Sequence, residues 1–327
     1  MNKPKRDLLP LLLIPALAVA ALPLVGSPAS WVTLTVAGLA MGMMVFIMAS
    51  GLTLTFGLMD VLNFGHGAFI AVGAFVAASV MLSLGPWMVA DSFWLNMAAI
   101  GPAVLAAVVA SGALGFAFER VIVRPVYGQH LKQILVTTGG LIVAEQLLKV
   151  VWGPEQITLS RPAALRGAFL FGDIAIEKYR VLAVIVGLVV FAGLALTLNR
   201  TRIGLLIRAG VENGEMVEAL GYRIRRLFVG VFVVGSALAG LGGAMWGLYQ
   251  ETVTAAIGAQ VAVLVFIVVI IGGLGSVGGC FVGALLVGLT ANYIGFLAPK
   301  VALGSNILLM ALILLWRPQG LFPVAKR

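Results

Sequence analysis

Three polar side chains lie close together in a chain that otherwise has few. Asp60, Asn63 and His66 occur within seven residues, beside Gly65 and Gly67, and apolar runs flank the group. Ionisable and amide groups at such places are costly to desolvate, so they usually face a cavity or pair with another polar group. The pattern predicts that Asn63, Gly65, His66 and Gly67 lie on a solute path or its gate. Alternatively, His66 satisfies a freed backbone carbonyl at a helix start.

A second interruption of the apolar pattern is made of glycine rather than polar side chains. Gly272, Gly273 and Gly275 fall within residues 271–280, which also contain two further glycines. Each glycine destabilises a helix by about 1 kcal/mol relative to alanine, so the cluster indicates a bend, an unwound turn or a close helix contact. Irregular backbone at membrane depth must be covered by protein or line a water-filled cavity. Breaks in both halves of a chain are typical of a transport pathway, with simple helix packing as the alternative here.

A third polar group combines Glu145 and Lys149 at i, i+4 spacing inside an apolar run, which predicts an ion pair on one helix face. Chemistry beyond this is excluded by residue counts and motifs. No glycine precedes a lysine, so no phosphate-binding loop of the Gly-Lys-[Ser/Thr] type exists. One cysteine, Cys280, and two histidines leave little for a metal site or a nucleophile. We therefore expect no enzyme activity, metal or cofactor in this chain.

The elements that position these groups are long apolar segments. Apolar residues make up 61% of the chain and charged residues 10%, against about 45–50% and about 25% in soluble domains. Runs near 20 residues without alternation predict membrane-spanning helices rather than barrel strands. We expect one all-α, polytopic helical bundle over residues 1–327 with about 8–10 transmembrane segments. Ten apolar segments run over residues 8–26, 31–56, 64–84, 95–118, 132–152, 180–199, 227–249, 261–274, 280–297 and 303–316.

The positive charges predict the orientation of this bundle. With the N-terminus in the cytoplasm, fifteen of the 21 Lys and Arg residues fall in inside loops and five in outside loops. Both termini are then cytoplasmic, residues 153–179 form a periplasmic loop or small hairpin, and residues 200–226 form a cytoplasmic loop. The net charge of +9 therefore indicates membrane orientation and contact with lipid, not nucleic-acid binding. Segments 2–5 and 7–10 run in opposite directions, as an inverted repeat would.

The N-terminal segment admits two interpretations. Lys3, Lys5 and Arg6 precede a long apolar stretch, as in a secretory signal, but its length favours a first membrane span.

The basic loop contains a short predicted helix. Asn213 suits an N-cap, Glu215 suits the first turn, and Gly221 suits a stop. Met216, Val217 and Leu220 would form an apolar edge that docks into a groove on another protein, or that lies on the lipid surface beside the neighbouring arginines.

The sequence resembles the permease subunits of bacterial high-affinity branched-chain amino acid ABC importers. The resemblance is carried by Gly-Leu-Met-Asp-Val-Leu-Asn-Phe-Gly-His-Gly at residues 57–67, by the loop 201–221, by Gly-Gly-Leu-Gly-Ser-Val-Gly-Gly at residues 272–279 and by Arg-Pro-Gln-Gly-Leu-Phe at residues 317–322. It implies import of branched-chain amino acids or related small polar solutes across the bacterial inner membrane.

The resemblance also implies partners and residue roles. It implies two ATP-binding subunits that use the ATP, a second homologous permease and a periplasmic solute-binding protein. It further implies an ATPase-coupling segment with residues Glu212, Glu215, Glu218, Ala219 and Gly221. The alternative is a stand-alone secondary transporter or facilitator, for which Asp60, His66 and Glu145 are the candidate ion or proton sites.

Overall fold

The computed structural model describes residues 9–212 and 214–322, which are almost entirely helical. In this part of the chain the α-helices are α1 Leu13–Val25, α2 Pro28–Met59, α3 His66–Ser83, α4 Gly85–Val89, α5 Phe93–Phe118, α6 His130–Trp152, α7 Lys178–Arg200, α8 Arg202–Glu212, α9 Gly214–Ala219, α10 Ile224–Gln250, α11 Ile257–Gly272, α12 Val277–Leu297 and α13 Ala302–Trp316. The strands are β1 Ile157–Thr158, β2 Ala168–Phe171, β3 Ile174–Glu177 and β4 Thr252–Val253. A π-helical turn, Glu119–Val123, and a 3-10 turn, Arg124–Val126, extend α5.

The ten predicted apolar segments all correspond to helices. Among the described residues, seven helices are long and apolar enough to cross a membrane: α2, α3, α5 with its extension, α6, α7, α10 and α12. Three shorter apolar helices cover Leu9–Val25, Ile257–Gly272 and Gly304–Trp316. The prediction of an all-α, polytopic membrane bundle is confirmed.

Helices α2 and α10 form the centre of the bundle and pack against each other in opposite directions. Gly51 of α2 lies against Gly235 of α10, while the earlier residue Met48 lies against the later residue Gly242. The contacts around this pair repeat when α2, α3, α5 and α6 are matched with α10, α11, α12 and α13. Helix α10 packs on α3 and α5, and its counterpart α2 packs on α11 and α12. Likewise α3 packs on α5 and α6 as α11 packs on α12 and α13. Exchanging segments 2–5 for segments 7–10 therefore preserves the packing, as the expected inverted repeat requires.

Helices α3 and α11 begin inside the bundle rather than at its ends. The backbone of Gly67, at the start of α3, touches the backbone of Gly258, at the start of α11. His66 contacts the Met48 carbonyl, eleven residues before the end of α2, which is about 17 Å along the helix axis. The segments that lead into α3 and α11 each begin with a residue in the left-handed conformation and then turn inward. These residues are Asp60 (φ 50°), after α2, and Glu251 (φ 56°), after α10.

The two ends of the bundle differ in structure and charge. At one end, which we call the basic end, lie residues 119–130, 200–226 and 273–276 together with residues 317–322. At the opposite end, β2 and β3 form the antiparallel hairpin predicted within residues 153–179. Strand β1 pairs with β4, so this loop is attached to the segment between α10 and α11.

The loop 200–226 contains two helices where one was predicted. Helix α8 precedes α9, and Asn213, the predicted N-cap, lies outside the described residues. Gly221, with φ of +86°, follows α9 as the predicted stop. The predicted apolar edge is divided, because Val217 is buried where α9 lies against α8 and α10, whereas Met216 and Leu220 are exposed.

Candidate functional site

The segment between α2 and α3, which we call the polar break (residues 60–65), is held by side chains of α6. The Leu62 N–H donates to Gln133 Oε1 at 3.3 Å, and the Phe64 N–H donates to Thr137 Oγ1 at 3.0 Å. Both anchoring side chains are buried and lie one turn apart on the same helix face. Because lipid offers no partner to a free N–H, these bonds allow an extended segment to run through the interior.

Two of the predicted site residues, Asn63 in the polar break and His66 at the start of α3, are each 1% exposed. Asn63 Oδ1 accepts a hydrogen bond from the Gly65 N–H at 3.0 Å, which fixes the turn into α3. His66 Nε2 lies 2.9 Å from the Met48 carbonyl oxygen. That carbonyl belongs to the middle of α2, not to a helix start. The two roles predicted for His66, on the solute path or as the partner of a freed backbone carbonyl, stay predictions.

Two buried amide groups beside the polar break lack a hydrogen-bond partner among the described residues. They are Asn63 Nδ2 and Gln133 Nε2. An unpartnered buried donor destabilises a structure by about 1–3 kcal/mol. Both unpartnered groups therefore lie beside the residues that the sequence predicted for a solute path or gate.

The segment between α11 and α12, which we call the glycine break (residues 273–276), is held by backbone groups. The Leu321 N–H donates to the Ile271 carbonyl at 2.8 Å, and the Phe322 N–H donates to the Gly272 carbonyl at 3.0 Å. The closing residues 317–322 thus satisfy the last carbonyls of α11, which a helix end otherwise leaves free. Gly273 has φ of +96°, a conformation that side chains rarely adopt.

Glycine is required at this break because backbones meet there without intervening side chains. A Cβ on Gly272 would overlap the backbone of Gly279 and Cys280 at the start of α12. Gly275, with φ of +84°, packs directly on Gly57 near the end of α2. The end of α2, three residues before the polar break, is therefore in contact with the glycine break, whereas Asn63, His66 and Gly67 lie deeper in the bundle.

A third break, between α10 and α11, was missed by the sequence reasoning. By the packing pattern it is the counterpart of the polar break. The Arg161 side chain secures it by donating to the Leu248 and Tyr249 carbonyls, at 3.1 and 2.8 Å. The same guanidinium forms ion pairs with Glu177 at 3.0 Å and Glu251 at 3.1 Å. The polar break and the glycine break are consequently not counterparts of each other in the inverted repeat.

The other ionisable candidates are each engaged locally. Lys149 Nζ lies 2.8 Å from Glu145 Oε1, which gives the predicted ion pair on α6. Asp60 is exposed at the basic end, where its carboxylate lies 3.7 Å from His130 Nε2. Within residues 9–212 and 214–322, no three His, Cys, Asp or Glu side chains are grouped so that they could hold a metal ion.

The predicted coupling residues lie at the basic end. Glu212 ends α8, Glu215 and Glu218 belong to α9, Ala219 is its last residue, and Gly221 follows it. Glu218 and Ala219 are exposed.

An apolar cluster connects this segment to both breaks. Ile207 of α8 packs with Leu54 of α2 and Val231 of α10. Around these three lie Met59, the last residue of α2, and Val277, the first residue of α12. Helix α8 therefore packs on α2 and α10 through a cluster that also includes the residues bordering the polar break and the glycine break.

Seven helices of membrane-spanning length among the described residues, packed as two opposed repeats, define the molecule as a polytopic α-helical membrane protein. Comparison with known proteins specifies it further. Residues 34–316 match the family of branched-chain amino acid transport system permease components, and the chain belongs to this family.

Three relatives illustrate the likeness. The high-affinity branched-chain amino acid transport system permease protein BraD of Pseudomonas aeruginosa is 30% identical over 87% of this chain and 93% of its own length. The corresponding protein LivH of Escherichia coli K12 is 26% identical over 87% and 92%. LivM of the same organism is 27% identical over 87% and 69%. No solved structure matches the chain.

Proposed function

We propose that this permease is the membrane-spanning subunit of an ATP-binding-cassette importer that moves branched-chain amino acids or related small polar solutes into the cytoplasm. The names of the relatives support the solute class. The observation that carries the importer proposal is the position of α9, an exposed short helix on the basic end that connects through α8 to both breaks. A stand-alone transporter has no need for such an exposed attachment.

The mechanism follows from these contacts. Movement of an ATPase bound to α9 shifts α8, and Ile207 passes that shift to Leu54 and to the neighbouring ends of α2 and α12. Close-packed interiors transmit displacement because there is no free volume to absorb it. The polar break and the glycine break then change position relative to each other about the Gly57–Gly275 contact, which opens and closes the solute path.

The proposal includes a set of partners and an orientation. Two ATP-binding subunits use the ATP, a second homologous permease completes the membrane part, and a periplasmic protein delivers the solute. Relatives named LivH and LivM in one organism support a second, different permease. The excess of Lys and Arg supports a cytoplasmic basic end in the bacterial inner membrane, with both termini inside. The hairpin β2–β3 is then periplasmic, where the solute-binding protein can reach it.

The function is tested by reconstitution. The complete system contains this chain, the second permease, the ATPases and the binding protein. Liposomes with this system should accumulate labelled leucine, isoleucine or valine only when ATP is present on the side of the membrane that holds the ATPases. Liposomes containing this chain alone should show no uptake under a proton or sodium gradient. Gradient-driven uptake by the isolated chain would support the secondary-transporter alternative and overturn the importer proposal.

A pair of substitutions at one position tests the coupling role of α9. Proline cannot adopt the φ of +86° at Gly221, whereas asparagine tolerates the left-handed conformation. Gly221→Pro should lower the amount of solute taken up per ATP hydrolysed by about tenfold or more, while the helical bundle still folds and assembles. Gly221→Asn should keep the normal ratio of uptake to hydrolysis. Normal coupling in the folded Gly221→Pro protein would contradict a docking role for the segment.

A further inference from the structure

A groove at the basic end is separate from both breaks. It lies between the turns that extend α5 and the start of α10, and its volume is about 340 Å³. Four arginines line it: Arg120 and Arg124 from the α5 extension, and Arg225 and Arg226 from α10.

The charge of this groove is not neutralised locally. Within the described part of the chain, none of the four guanidinium groups forms an ion pair with a carboxylate. The one carboxylate that lines the groove, Glu119, is buried and accepts a hydrogen bond from the Tyr127 hydroxyl at 2.8 Å. Burial, with the help of this carboxylate, raises the pKa of Tyr127 well above its usual range.

The groove also has an apolar wall. Phe116 and Val229 line it beside the arginines. Phe116 is 45% exposed and the neighbouring Val121 is 71% exposed, on a helix apolar enough to span a membrane. The Arg120 guanidinium lies 6.0 Å from the centre of the Phe116 ring. A positively charged rim therefore stands at the point where α5 leaves the apolar layer and α10 enters it.

We propose that this groove binds the phosphate headgroup of an anionic phospholipid from the surrounding membrane. Guanidinium groups bind phosphate oxygens in a paired geometry, and basic pockets between spanning helices at the cytoplasmic side suit anionic headgroups. The acyl chains continue along Phe116 and Val121 into the apolar layer. An acidic surface of an ATPase would match the charge but not the exposed apolar wall, so the lipid is the better occupant.

The bound lipid would also contact the proposed coupling region. Arg225 and Arg226 line a second, adjoining groove of about 390 Å³ together with Glu218, Gly221 and Tyr222. A headgroup held by these arginines lies next to the residues that end α9 and steadies them. The lipid site itself does not depend on the proposed importer function.

Lipid retention by the purified full-length chain tests the proposal. Delipidated protein in detergent is titrated with phosphatidylglycerol or with phosphatidylethanolamine of the same acyl chains, and bound lipid is counted by native mass spectrometry. The groove variant is Arg120→Gln/Arg226→Gln. The matched control is Arg202→Gln/Arg208→Gln, which removes two exposed arginines of α8 from the same end. We expect at least tenfold weaker phosphatidylglycerol retention in the groove variant alone, with phosphatidylethanolamine unaffected.

Several outcomes would overturn the proposal. These are equal loss in both variants, equal retention of the two lipids by the unsubstituted chain, or full displacement of the lipid by millimolar inorganic phosphate. Loss of ATPase binding by the groove variant with unchanged lipid retention would assign the groove to the protein partner instead. If the glutamine variant does not fold, Arg120→Lys/Arg226→Lys keeps the charge and should keep the preference for phosphatidylglycerol, and loss of that preference in the folded lysine variant would also contradict the site.

Discussion

The glycine break contacts the end of α2 through Gly57 and Gly275, and the polar break follows directly after that helix end, yet the two breaks are held in opposite ways. The polar break depends on side chains of a distant helix, Gln133 and Thr137, and two buried amide groups beside it have no partner within residues 9–212 and 214–322. The glycine break depends on backbone hydrogen bonds from the chain's closing residues and on the absence of side chains. We propose that the polar break exchanges hydrogen-bond partners during transport, while the glycine break keeps its conformation.

The largest effect is expected where the polar break leads into α3. A Cβ on Gly67 would lie 2.6 Å from the Gly258 carbonyl oxygen, and neither backbone can withdraw because both begin interior helices. Gly67→Leu should abolish ATP-driven uptake, and the matched Gly139→Leu, with no atom within 4 Å of the added Cβ, should leave uptake within about twofold. Equal damage from both substitutions would show that the tight contact has no special role.

A somewhat smaller effect is expected at the glycine break. Gly272→Ala forces a Cβ against the backbone of Gly279 and Cys280, and overpacking of this kind costs about 1–3 kcal/mol. The free energy of unfolding should decrease and uptake should fall about tenfold. The two losses should be proportional, because the glycine break has a structural role. Gly278→Ala is the control, because no atom lies within 4 Å of a Cβ added at Gly278. Loss of uptake at full stability would contradict the division between the two breaks.

A more selective effect is expected from the side-chain anchors. Thr137→Val removes the acceptor of the Phe64 N–H while keeping the shape of the side chain. An unpartnered buried N–H costs about 1–3 kcal/mol, so thermal unfolding in detergent should occur at a lower temperature, and uptake should fall several-fold. Thr138→Val on the same helix, where the side chain is only half-buried, should change neither. If the two valine variants behave alike, the polar break does not depend on this anchor.

The smallest effect is expected away from both breaks, at the Glu145–Lys149 pair. The pair lies in the last two turns of α6, at the end of its membrane span, and an ion pair that water reaches contributes about 0–1 kcal/mol. Glu145→Gln should therefore leave uptake nearly unchanged, as should Lys149→Gln and the double variant. A tenfold loss of uptake in Glu145→Gln that Lys149→Gln does not share would place the carboxylate on the solute path and move the site away from the breaks.

The fold was predictable from the sequence because uninterrupted apolar runs have few structural solutions in a membrane. The polar break was equally visible, since Asp60, Asn63 and the neighbouring glycines stand out against such runs. Its anchors were not, because Gln133 and Thr137 lie about 70 residues away in another helix. Their i, i+4 spacing inside an apolar span was the available signal.

The third break was hidden for a different reason. The segment that follows Glu251 reads Thr-Val-Thr-Ala-Ala, with no glycine or proline to mark a change of direction. Its conformation depends on Arg161, which caps α10 and pairs with Glu251 from a separate loop. Tertiary contacts of this kind leave no local pattern, so the helix start at Ile257 could not be placed from sequence.

The importer proposal requires that α9 lies on the cytosolic face and that an ATPase binds it. Cys280 is the chain's one cysteine and is buried, so Leu220→Cys in a Cys280→Ala background gives a single exposed thiol beside α9. A membrane-impermeant maleimide should label it in inside-out vesicles and not in right-side-out vesicles, and assembly with the ATPases should protect it. Labelling from the periplasmic side, or labelling that the ATPases do not alter, would contradict the account.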